Sequence, residues 1–170
     1  MKPNTNLKSL IDKAASLITI ATAFLVPIFF LPTTTEFFSF NKLILITGVT
    51  VLLLIIWGLK MITGGKIEFA KSPIDKGILL IIITGILGSI FSISKGDSLY
   101  GSPGRWLGVI SFLIMTVYFY VSSPFLKGQK NIKNAIFALL IGSTISSIVA
   151  ILGYYNIYLG QADFLRATNF

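Results

Sequence analysis

The chain contains neither cysteine nor histidine, and only six of its 170 residues are acidic. Without cysteine there are no disulfides and no thiolate metal sites, and redox compartment is left undetermined. Without histidine the commonest metal ligand and the usual general base near neutral pH are missing. No metal or cofactor is expected. Charge of either sign is scarce at 12%, whereas 54% of residues are hydrophobic, outside the ordinary range for a soluble domain. The net charge of +8 would suit nucleic acid if it formed one basic surface, but the lysines fall in separate clusters between apolar runs. That arrangement suits anionic headgroups, so the expected partner is the lipid bilayer and not nucleic acid.

Five apolar runs are present, and together they predict an all-α, multi-pass transmembrane protein. A cytoplasmic segment, 1–13, precedes a membrane region, 14–162, with predicted spans at about 14–31, 43–59, 77–94, 106–126 and 135–157, and an extracytoplasmic end, 163–170, follows. A hydrocarbon core about 30 Å thick needs roughly 20 helical residues, with about 17 as the lower limit. All five runs qualify. The first is read as an uncleaved span, because apolar sequence continues through Phe30 past the small residues Ala21-Thr22-Ala23. Barrel strands would alternate, and these runs do not.

Orientation follows from the basic residues. Lys2, Lys8, Lys13, Lys60, Lys66, Lys71, Lys76, Lys127, Lys130 and Lys133 fall on one side, against Lys42, Lys95, Arg105 and Arg166 on the other. Ten against four places the amino terminus in the cytoplasm and the carboxy terminus outside.

Within the spans, Pro27 is tolerable near the end of its run. Gly85 with Ser89, and Gly142 with Ser146, are each four residues apart and predict close helix packing. Trp57 and Tyr120, Tyr154, Tyr155 and Tyr158 are placed as interfacial anchors, and Tyr118 as a packing residue. The connection at 60–77 is read as a connector in which Gly64-Gly65 ends one helix and Asp75 opens the next.

The segment "DSLYGSPGRW", 97–106, is polar and turn-rich between two apolar runs, and it faces outward in this topology. Gly96, Gly101 and Gly104 permit tight or left-handed backbone, and Ser102-Pro103-Gly104 is a turn signal. Exposed amides beside Lys95 and Arg105 could hold an anionic group, with Arg105 favoured because its fork engages phosphate oxygens bidentately. Two plainer readings stand beside this one: Lys95 pairing with Asp97, and Arg105 snorkelling from the start of the fourth span.

Three stretches, "FLVPIFFLPTTTEFFSFNK" (24–42), "SPIDKGILL" (72–80) and "SIFSISKGDSLYGSPGRW" (89–106), resemble in order and spacing the opening third of bacterial O-antigen ligase and O-antigen polymerase-like integral membrane proteins. "YYNIYLGQADFL" (154–165) is similar to the end of the fifth span in that family. The resemblance implies a multi-spanning glycosyltransferase of the bacterial inner membrane that takes a polyprenyl-diphosphate-linked glycan as donor. Ligases move the glycan to a lipid or protein acceptor, and polymerases extend it. It further implies that Arg105 and Lys95 bind the donor diphosphate, with Gly101 and Gly104 shaping their loop. The family's catalytic histidine lies on a larger outward loop beyond the matched region, so these residues are expected to be an amino-terminal portion, lacking the carboxy-terminal half, with no catalytic residue of its own and no activity alone. The alternative is a noncatalytic membrane packing subunit or small transporter component.

Overall fold

The computed structural model describes residues 5–29, 39–64, 74–102, 106–126 and 128–155. All regular elements are helical: α1 (Thr5–Ile28), α2 (Ser39–Gly64), α3 (Asp75–Ile90), α4 (Lys95–Tyr100), α5 (Val109–Ser122), a 3₁₀ turn (Ser123–Phe125) and α6 (Gln129–Tyr154). Three helices are long and apolar enough by themselves to cross a bilayer, over Ser9–Ile28, Ser39–Ile62 and Gln129–Leu152. Large apolar side chains face outward along the bundle, among them Leu79 and Leu80 on α3 and Ile136, Phe137 and Leu140 on α6. In water such a surface would be untenable; against lipid tails it is the expected solvent-facing side. The chain is an all-helical, membrane-spanning protein.

The helices pack in a row, α6 on α1, α1 on α2, α2 on α5 and α5 on α3, with α4 lying against α3 and α5. The buried centre consists of Ala15, Leu53, Val121 and Phe125, with Ile18, Val49, Ile56, Trp57 and Tyr118 packed around it. Trp57, expected as an interfacial anchor, thus supports the core. Tyr118 packs as its sequence position suggests, and its hydroxyl meets Thr22 of α1.

Hydroxyls inside the helices are satisfied locally. Thr19 donates to the Ala15 carbonyl at 2.9 Å, Thr22 to Ile18 at 2.7 Å, Thr50 to Ile46 at 2.6 Å and Thr144 to Leu140 at 2.8 Å. Each bond runs back one turn, which lets a polar group enter an apolar helix, and Thr22 in addition meets Tyr118 across the α1–α5 contact.

The small-residue spacing acts where the helices approach most closely. At Gly142, now buried, a Cβ would overlap the Phe24 carbonyl oxygen of α1. Gly85 faces Val109 of α5 at an ordinary 3.5 Å. Both glycines therefore mark helix interfaces, and only the first has no room for a methyl group.

Polar contacts group the helix termini. Lys60, near the end of α2, pairs with Asp12 in α1 at 2.5 Å, and its ammonium lies 5.1 Å from the Phe125 ring centroid. Tyr120, near the end of α5, donates to Asp75 in the first turn of α3 at 2.9 Å. At the other end Phe40, beginning α2, meets Trp106 at 5.2 Å between ring centroids. Termini that the lysine distribution assigns to one side thus sit at one end of the bundle.

Two predicted spans are shorter as helices than as apolar runs. The third stops at Ile90 instead of Ser94, and the fourth becomes helical at Val109 instead of Trp106. At 1.5 Å per residue, the 16 residues of α3 extend about 24 Å. Beyond that end, Ser92 donates to the Ser94 carbonyl at 3.0 Å, a local side-chain contact within the segment that joins α3 to α4.

Candidate functional site

Residues 91–102 and 106–108, between α3 and α5, form the polar end opposite the lysine-rich one. The serines begin its folding. The Ser94 hydroxyl donates to the Asp97 carboxylate at 2.8 Å across the first turn of α4, and the Ser98 amide donates to the Ser94 carbonyl at 3.1 Å. Asp97 is therefore held by Ser94, and the expected alternative in which Lys95 pairs with Asp97 is not formed. Lys95 stands exposed on this short helix.

Gly101 ends α4. Its φ of 94° and ψ of 158° lie where side chains are strained, and its amide donates to the Asp97 carbonyl at 2.8 Å. The loop role expected of Gly101 is thus met by its backbone. Gly108 contributes a close approach that sequence reading passed over: a Cβ there would overlap the Leu99 carbonyl, so 99–101 lie directly on the chain entering α5. Arg105 and Gly104 lie outside the described residues, immediately before Trp106.

Trp106 is half-buried. Its ring lies tilted at 50° against Phe40, and its carbonyl accepts from Ser111 at 2.5 Å. Its indole nitrogen is buried and has no acceptor among the described residues. A buried donor without an acceptor is uncommon and marks a place where a further polar group can dock. Asn41, fully buried next to Phe40, is a second polar residue at this end that the sequence reading missed. The only sequence signal was an amide side chain at the start of an apolar run.

Beneath the polar segment lies a cleft of about 450 Å³ between α3 and α5, with Ile82, Gly85, Gly88, Ser98, Gly108 and Phe112 among its lining residues. Gly85 and Gly88 remove side chains from the α3 wall. Ser89, at the top of that helix, donates to the Gly85 carbonyl at 3.0 Å and is hydrogen-bonded to Ser98 at 2.9 Å, which fastens α4 over the cleft. The result is an apolar, membrane-level slot capped by a small polar platform. Lys95 precedes Ser98 by one turn of α4 on that platform.

The arrangement can hold an amphiphile. Among the described residues there is no cluster of acidic side chains capable of holding a metal. Compared with family models, curated proteins and solved structures, the chain matches none.

Proposed function

We propose that these residues form the donor-lipid side of a bacterial O-antigen ligase or polymerase-like glycosyltransferase in the inner membrane. In this reading the chain crosses the bilayer five times with its amino terminus in the cytoplasm. Residues 91–108 then face outward, where a polyprenyl-diphosphate-linked glycan is presented. The observation that carries the reading is the α3–α5 cleft lying directly under the polar platform of α4.

A polyprenyl diphosphate has two parts, a branched apolar chain and a strongly anionic head. The cleft accepts the first isoprene units beside Gly85, Gly88 and Phe112. Arg105 supplies a planar fork for the diphosphate oxygens at headgroup level, and Lys95 adds a point charge. Transfer breaks the bond between the anomeric carbon and the diphosphate oxygen as an acceptor hydroxyl attacks and gives up its proton. Positive charge near the departing diphosphate stabilises the negative charge that develops there. Residues 1–170 hold the leaving group; the base that takes the proton is not assigned to them.

Photolabelling with a polyprenyl diphosphate carrying a diazirine in its first isoprene units tests this reading. Label is expected within 81–88 and 107–113, with reduced yield in Gly85→Phe, which fills the cleft. Label distributed equally over the exposed α6 face at Ile136 and Phe137 would reduce the cleft to ordinary lipid-facing surface.

A further inference from the structure

A second cleft, of about 430 Å³, lies at the opposite, lysine-rich end. Its polar mouth is formed by Asp12, Lys13, Ser16 and Asn131, and its apolar part by Leu17, Ile20, Pro124 and Phe125. Helix α1 thus changes character along one wall, from charged at Asp12 and Lys13 to aliphatic at Leu17 and Ile20, over about 12 Å. Polar and apolar parts are ordered along the helix axis, as are the head and tail of a membrane lipid.

The charge balance selects the headgroup. Asp12 is already paired with Lys60, which has only 13% of its side chain exposed, so its negative charge is compensated inside the bundle. Lys13 is exposed at the mouth, and Lys130 and Lys133 are exposed on the first turns of α6, flanking Asn131. The mouth thus carries the Lys13 charge beside a carboxylate that Lys60 neutralises, and Lys130 and Lys133 add two further exposed charges to the same helix turn as Asn131. The floor is rigid: Phe125 is 3% exposed, and the Lys60 ammonium lies against its ring.

We propose that this cleft binds one anionic glycerophospholipid, its phosphate at Lys13 and Asn131 and the start of one acyl chain along Leu17 and Ile20. The site is separate from the α3–α5 cleft and does not depend on the glycan-transfer reading. Bound there, the lipid joins α1, the 3₁₀ turn and α6 at the end of the bundle where those elements contribute to one cleft.

Native mass spectrometry of the full chain released from micelles containing phosphatidylglycerol or phosphatidylcholine, with matched acyl chains, reads occupancy directly. The chain should retain one phosphatidylglycerol in preference to phosphatidylcholine. Each juxtamembrane lysine contributes about fivefold to binding of an anionic surface, so Lys13→Gln should weaken retention about fivefold and the combined Lys13→Gln, Lys130→Gln, Lys133→Gln variant on the order of a hundredfold. Leu17→Trp, which fills the apolar part from an exposed position, should lower retention of both lipids. Lys42→Gln, at the other end, should change nothing. Equal retention of the two lipids by the unmodified chain, or equal losses in Lys42→Gln and Lys13→Gln, would overturn the proposal. Displacement of the lipid by glycerol phosphate at equal concentration would show a phosphate site without a lipid site, and would overturn it as well.

Discussion

Lys60 and Asp12, forty-eight residues apart in the chain, form a 2.5 Å ion pair that ties α2 to α1 at the lysine-rich end. The two partners are unequal: the Lys60 side chain is 13% exposed and the Asp12 side chain 41%. Removing the acid takes the ion-pair partner from a nearly buried ammonium, whereas removing the lysine leaves a carboxylate that water can reach.

That asymmetry predicts opposite tolerances. Asp12→Asn should destabilise the protein by about 1–3 kcal/mol, below the usual cost of breaking a fully buried pair because Asp12 is partly solvated. Lys60→Met, which keeps the packing on Phe125, should cost less than about 1 kcal/mol. Thermal unfolding in a single detergent compares them, and equal losses would contradict the burial argument.

The glycines make a similar pair. Gly142→Ala should destabilise the α1–α6 interface by about 1–3 kcal/mol, because the new methyl group meets the Phe24 backbone. Gly85→Ala meets only the Val109 side chain at 3.5 Å and should be neutral or slightly stabilising through helix propensity. A reversed ranking in the same unfolding assay would show that α1 and α6 do not approach at Gly142.

Because the chain has no cysteine, single cysteines report sidedness without background. Thr35→Cys and Ser102→Cys should react with a membrane-impermeant thiol reagent in spheroplasts, and Lys130→Cys only after permeabilisation. Protection of the first two with labelling of the third would invert the topology.

Purified protein of residues 1–170 should give no product from lipid-linked glycan and acceptor. The side-chain acids assigned to the outward face are Glu36, Asp97 and Asp163, and no histidine is present to serve as a general base near neutral pH. Asp97 already accepts from Ser94. Turnover abolished by Asp97→Asn would move the chemistry into this chain.

The helical, membrane-spanning character was legible because apolar run length is set by bilayer thickness, and α1, α2 and α6 follow it directly. Gly142 was legible as a packing residue because small residues four apart have few other uses in a membrane helix. The ends of the third and fourth runs were not, because continuous hydrophobicity does not reveal that the chain leaves the helix after Ile90 to form α4, or where 99–101 press on Gly108. The Asp12–Lys60 pair was hidden for a different reason: the two are 48 residues apart, and their meeting depends on how α1 and α2 pack. In the polar segment, sequence singled out Lys95 and Gly101 but not Trp106 or Asn41, whose roles arise from burial at a helix junction.

The Kd for a polyprenyl diphosphate is the direct measure of the proposed role of Arg105 at the end of the bundle opposite the lysine-rich one. A hydrogen bond to a charged group contributes roughly 1.5–3 kcal/mol, so Arg105→Ala should weaken binding about tenfold or more. Arg105→Lys should recover only part of the loss, because the charge returns without the fork. Lys95→Ala should have a smaller effect, and binding of the corresponding uncharged polyprenol should be unaffected by any of the three changes. An unchanged Kd for the diphosphate in Arg105→Ala, with the variant folded and membrane-inserted, would contradict the claim and leave 97–106 as a connector between two helices.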